Sequence, residues 1–96
     1  MLEEQVRYLV LKFLAQVYPS DLSLQMIEAL LYDWRVFITQ DKLKKKIIKP
    51  LVEKGYAEIV EIELPAHTGS IKKLKLTAKG RALLDGEYID ELIKEV

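Results

Sequence analysis

Apolar residues recur at Leu2, Val6, Leu9, Val10, Phe13, Leu14 and Val17, at spacings of three and four. That spacing puts them on one face of a helix and predicts a first helix over residues 1–17. Tyr18-Pro19-Ser20-Asp21 closes it, because proline cannot continue helical hydrogen bonding and disfavours helix in the residue before it. Ser23 is placed to cap a second helix over 23–32, with Leu22 and Ile27 at the positions of a hydrophobic staple. Met26, Ile27, Leu30 and Leu31 give that helix its buried face.

The β-prone run Val36-Phe37-Ile38 predicts one short strand. Thr39 follows as an N-cap and Asp41 falls in the first turn of a third helix, 40–54, where the helix dipole favours a carboxylate. Leu43, Ile47, Ile48, Leu51 and Val52 are its apolar positions, and Gly55 sits where a left-handed C-terminal cap is required. Two features break the regular pattern: Leu43 and Ile48 are five apart, and Pro50 has no N–H to give the carbonyl of Lys46. Together they predict a bulge or bend between Lys46 and Leu51.

From Tyr56 to Leu64 the period becomes two, and a second alternating run spans Ile71 to Thr77, which predicts a hairpin over 56–76. One register pairs Ile62 with Leu74 and Val60 with Leu76 while setting Glu61 opposite Lys75 and Glu63 opposite Lys73. Thr77 is placed to cap a last helical segment, 78–96. Gly86 either ends that helix or weakens it by about 1 kcal/mol, and Tyr88, Ile89, Leu92, Ile93 and Val96 continue an apolar stripe beyond it.

The 96 residues are one domain by length. No run approaches the ~20 apolar residues of a membrane span, so no membrane partner is expected, and Glu3, Glu4, Arg7 and Lys12 make the opening a poor signal peptide. The absence of cysteine removes thiolate metal sites and thiol nucleophiles. The cytoplasm is the expected compartment. Net charge is zero, yet its distribution is uneven. Met1 to Trp34 has two basic and five acidic residues, giving −3; Arg35 to Arg81 has twelve and five, giving +7; Ala82 to Val96 has one and five, giving −4. A basic block between acidic flanks can attract phosphate although the whole molecule is neutral.

The predicted order is helix, helix, short strand, helix, strand, loop, strand, helix. This is an α+β arrangement with a helix-turn-helix standing directly before a hairpin. The run Leu43 to Tyr56, ending Leu51-Val52-Glu53-Lys54-Gly55-Tyr56, resembles the recognition helix of winged-helix regulators. Leu76-Thr77-Ala78-Lys79-Gly80-Arg81-Ala82-Leu83-Leu84 resembles the strand-to-helix junction of the MarR, PadR and ArsR groups. In length and element order the chain is also similar to short winged-helix proteins of Mu-like prophages. The resemblance implies a winged-helix fold whose third helix enters the major groove of double-stranded DNA and whose hairpin loop contacts backbone or minor groove. The five-residue apolar spacing departs from the pattern of those relatives.

At 100° per residue, Lys42, Lys45, Lys46 and Lys49 share the side of the third helix opposite Leu43, Ile47 and Leu51. They are candidate phosphate contacts, with Gln40 at the helix start able to reach a base edge; the alternative is a solvated lysine face. The wing offers His67, Thr68, Lys72 and Lys73 as further DNA-contacting candidates. Tyr32 and Trp34 are read as core or hinge packing. No glycine-rich phosphate loop, metal-ligand cluster or paired nucleophile and base occurs, so neither enzyme activity nor a cofactor is expected. The function expected is a DNA-binding transcriptional regulator, with a protein-interaction adaptor as the alternative. The C-terminal stripe can be covered by the first helix or by a two-fold homodimer through the first and C-terminal helices, and the dimer is the expected partner state.

Overall fold

Helix α1 (Glu3–Val17) buries Val6, Leu9, Val10, Phe13 and Leu14 of its predicted face and also Leu11, while Leu2 is exposed and Val17 half-buried. A computed structural model describes residues 1–63 and 69–96. The chain then forms strand β1 (Asp21–Ser23) and helix α2 (Leu24–Asp33), whose N-cap is Ser23, its side chain accepting from the Met26 amide at 3.1 Å. A third helix, α3, runs as three consecutive segments: α-helical Gln40–Lys42, π-helical Leu43–Ile48 and α-helical Lys49–Glu53. Strands β2 (Ala57–Glu63) and β3 (Ser70–Leu76) and helix α4 (Ala78–Leu84) follow. Among the described residues this is an α+β fold of four helices and a three-stranded antiparallel sheet in the order β1-β3-β2. One core joins all its layers, with Leu14, Ile27, Leu31, Ile47, Leu51 and Leu74 fully buried at its centre. No helix among the described residues is long and apolar enough to cross a membrane.

Three expectations are corrected. The short strand falls at Asp21–Ser23 and not at 36–38. Asp21, Leu22 and Ser23 lie against Lys75, Leu74 and Lys73 at the otherwise open edge of β3. Val36 instead closes the end of α2, its amide donating to the Leu31 carbonyl at 2.9 Å. Val36 and Ile38 pack half-buried against the core, but a strand also needs a neighbour to pair with, and that edge is taken by β1.

The hairpin register is the second correction. Ile62 lies opposite Ile71, three residues from the Leu74 expected, and Val60 faces Lys73. Glu58 rather than Glu61 lies opposite Lys75, Glu61 lies opposite Lys72, and Glu63 lies opposite Ser70. An odd shift exchanges the faces, so Ala57 and Ile59, not Val60, share the side of Leu76 and Leu74. The register is set at the base of the hairpin. The Thr77 amide donates to the Tyr56 carbonyl at 3.1 Å, and Ala57 and Leu76 enter the core together.

The third correction concerns residues 78–96: of the two alternatives for Gly86 the first holds, the helix ending at Leu84, and the residues beyond it do not continue the helical segment. Gly86, at φ 83°, donates to the Leu83 carbonyl and Glu87 donates to that of Ala82, both at 3.1 Å, which is the paired hydrogen bonding of a Schellman C-cap. The tail that follows is irregular and packs on α1 of the same chain: the Lys94 amide donates to the Glu4 carbonyl at 3.1 Å, and Tyr88 and Ile93 lie against the core. Of the predicted stripe, Ile89 and Val96 stay exposed.

The expected irregularity in α3 is present. The Lys49 amide reaches the Lys44 carbonyl, five residues back, and the extra residue in that turn lets Leu43 and Ile48 both face the core. Pro50 leaves the Lys46 carbonyl without its usual donor, and Arg7 supplies one: its Nε donates to that oxygen at 2.9 Å. The same guanidinium donates through Nη1 to the Leu92 carbonyl at 3.1 Å and pairs with Glu3 at 3.3 Å. Arg7 is 7% exposed, so this one side chain ties α1, the π turn and the C-terminal tail together from inside.

Candidate nucleic-acid interface

Helix α3 is held from its buried side, which leaves its other side free to carry charge. Thr39 caps its start by accepting from the Lys42 amide at 3.2 Å, as its sequence position predicts. Its end is a second Schellman cap, with Gly55 at φ 78° donating to the Val52 carbonyl and Tyr56 to that of Leu51. Thr77 then locks this end to α4: its hydroxyl donates to the Gly55 carbonyl at 2.5 Å and accepts from the Gly80 amide at 3.0 Å. A Cβ on Gly80 would fall on the Tyr56 carbonyl oxygen and within 2.8 Å of Leu76 Cδ1, so the helix can begin this close to β2 only with glycine there. The Thr-Ala-Lys-Gly junction noted in the sequence is therefore a packing requirement.

Tyr56 continues the anchor. Its hydroxyl donates to the Asp90 carboxylate, which also accepts from the Leu92 amide at 2.9 Å and pairs with Lys54 at 3.7 Å. Burial and then the Asp90 hydrogen bond hold the Tyr56 hydroxyl well above its ordinary range. For Asp90, burial alone would raise the carboxyl. The Tyr56 hydroxyl, the Leu92 amide and Lys54 outweigh it and leave the group below 3.8.

On the outer side, Gln40, Lys42, Lys45, Lys46 and Lys49 are all exposed. They are not equivalent. Lys42 reaches Glu3 at 3.9 Å and Lys45 reaches Asp41 at 3.3 Å, while Lys44, Lys46 and Lys49 have no ion pair among the described residues. The two pairs are solvent-exposed and weak, so neither removes its lysine from competition for a phosphate. The hairpin lysines diverge. Lys73 pairs with Asp21 at 3.5 Å on the outer face of the sheet, whereas Lys72 shares the side of Leu74 and turns towards α3. His67 and Thr68 lie outside the described residues.

The sequence reading passed over Lys44. It lines a groove between α2, α3 and the hairpin together with Lys49 and Lys72, because the π turn places residues five apart on the same side. The five-residue spacing of Leu43 and Ile48 carried this signal, since a turn lengthened on its buried side is lengthened on its exposed side too. For Tyr32 and Trp34 the core alternative is corrected, while Tyr32 does pack at the turn. Both are more than half exposed, and Tyr32 packs edge-on against Phe37 with ring centroids 5.3 Å apart. They lie on the outside of the turn that Arg35 closes at φ 58°, pointing away from the core.

Comparison with known proteins returns no match: no family model, curated protein or solved structure is significantly similar to this chain.

Proposed function

We propose that the chain is a winged-helix protein that binds double-stranded DNA and regulates transcription, with α3 in the major groove and the β2–β3 hairpin beside it. The observation that carries this reading is the outer side of α3. Five exposed lysines, Lys42, Lys44, Lys45, Lys46 and Lys49, stand on one helix directly before the hairpin. Phosphate contacts of this kind fix a protein on a duplex, and lysine supplies them as point charges without the bidentate base reading of arginine. Sequence preference then rests on Gln40 and on DNA shape. A regulator acting as a homodimer would use the exposed Ile89 and Val96, and sedimentation at micromolar concentration tests that part by itself.

Binding to a random duplex across a salt series tests the main proposal. About five phosphate contacts give a log–log slope near −4.5, and each lost contact reduces its magnitude by ~0.9. Reversal of Lys45 and Lys46 to glutamate weakens binding and flattens the slope. Reversal of the exposed Glu91 and Lys94 leaves net charge unchanged and both measurements intact. A protein-interaction adaptor is the second reading, favoured by the exposed Tyr32, Trp34 and Phe37 beside Arg35, residue types that dominate protein hot spots. A flat salt profile with folded protein gives that reading the lead.

A further inference from the structure

Between α3 and the hairpin lies a groove of about 240 Å³ that differs from the rest of the basic surface in having an apolar floor. Leu24 from the start of α2, Ile48 and Val52 from α3, and Ile59 from β2 converge there. Ile59 is 50% exposed although it lies opposite the fully buried Leu74, so the strand carries an apolar side chain to the core side at a point where the core has ended. The corrected hairpin register is what puts it there. At the rim stand Lys44, Lys49 and Lys72, with Glu53 the one carboxylate lining the groove among the described residues and Glu61 opposite Lys72 on the neighbouring strand. Lys44 and Lys49 have no ion pair among the described residues, in contrast to Lys42 and Lys45 on the neighbouring side of the helix.

We propose that this groove binds a small amphipathic anion: an alkyl chain on the Leu24–Ile48–Val52–Ile59 floor, with a carboxylate or similar head held between Lys44, Lys49 and Lys72. Charge complementarity selects the sign of the head, since among the described lining residues three ammonium groups stand against the carboxylate of Glu53. Size selects the class. At about 240 Å³ the groove falls just under the ~300–1,000 Å³ of sites for drug-sized ligands, a size that suits a short alkyl chain with one head group. The groove shares Lys44, Lys49 and Lys72 with the proposed DNA surface but adds an apolar floor, and its ligand is titrated without DNA, so failure of either proposal is read separately.

Titration of the full chain with octanoate, octylammonium and acetate, followed by backbone amide shifts, tests it. The expected result is saturable octanoate binding with shifts gathered on Leu24, Ile48, Val52, Ile59 and Lys72, and at least tenfold weaker binding of octylammonium and acetate. Ile59→Asp, at a half-exposed position and with folding checked by the dispersion of the amide spectrum, weakens octanoate at least tenfold. Lys44→Glu with Lys49→Glu lowers octanoate affinity and raises that of octylammonium. Equal binding of octanoate and octylammonium, equal binding of octanoate and acetate, shifts centred elsewhere, or no saturation by ~10 mM would each overturn the proposal. An unchanged octanoate affinity in a folded Ile59→Asp variant would do the same.

Discussion

Helix α3 begins in a turn whose large side chains are exposed and ends in a junction whose backbone is tied to several other parts of the chain. The hydrogen-bond pattern leading into each end is the same. Arg35 donates to the Tyr32 carbonyl and Val36 to that of Leu31 just before the helix, as Gly55 and Tyr56 do to Val52 and Leu51 just after it. The residue at the left-handed position differs: arginine at φ 58° in the first, glycine at φ 78° in the second. Around the glycine are Thr77, Gly80, Tyr56 and Asp90, all engaged with one another. Around the arginine are Tyr32, Trp34 and Phe37, all exposed. Position along the same helix thus separates a region selected for packing from one whose side chains face solvent, and substitutions at the two should differ in size and in sign.

The largest expected effect belongs to Arg7, which holds the middle of α3. Arg7→Ala removes the charged donor from two part-buried carbonyls, those of Lys46 and Leu92, and should cost about 3–5 kcal/mol in urea unfolding. Pro50→Ala returns a donor to the Lys46 carbonyl, so the double variant should recover at least ~0.5 kcal/mol relative to additivity. Simple additivity would show that Arg7 does not compensate for the proline.

Gly80→Ala comes next. In an exposed helix the change would stabilise by about 1 kcal/mol, but the collision with the Tyr56 carbonyl reverses the sign to a loss of about 1–3 kcal/mol. A stabilised variant, read from the same urea midpoints, would remove the packing account of the junction.

Asp90→Asn should cost about 1.5–3 kcal/mol at neutral pH, because the hydrogen bonds it loses are to a charged group. The sign of the pH effect follows from the folded carboxyl titrating below 3.8. Its contribution is complete above about pH 4 and is lost as pH falls through the folded value. Unfolding at pH 6 and at pH 2 should therefore show the gap between wild type and Asp90→Asn closing on acidification.

The smallest effect, and the only one of opposite sign, is at the exposed end. Arg35→Gly removes the left-handed penalty of ~1–2 kcal/mol and adds chain entropy to the unfolded state of about half that size, for a net gain near 0.5 kcal/mol. A loss in place of this gain would mean that the Arg35 side chain contributes to the fold through contacts its exposed position does not suggest.

Much of this contrast was legible in the residues. Ser23, Thr39 and Thr77 cap helices where they were expected, and Gly55 takes the left-handed cap, because capping depends on atoms two or three residues away. The lengthened turn of α3 was legible for the same reason, through Pro50 and the spacing of Leu43 and Ile48. The lysine face was legible as a set of exposed residues, but not its division into Lys42 and Lys45 with acidic partners and Lys44 and Lys49 at a groove, since Glu3 and Lys72 arrive from other elements.

The sequence alone therefore determined the first three helices, the start and cap of the fourth, the lengthened turn and the two alternating strands, all of which depend on interactions within a few residues. Tertiary structure decided which strand joins β3, how β2 and β3 align, and where the tail after Gly86 lies. Several registers and partners satisfy an alternating pattern about equally. The choice among them was made by contacts between distant residues: Thr77 with Tyr56, Leu22 beside Leu74, and Arg7 with Lys46 and Leu92.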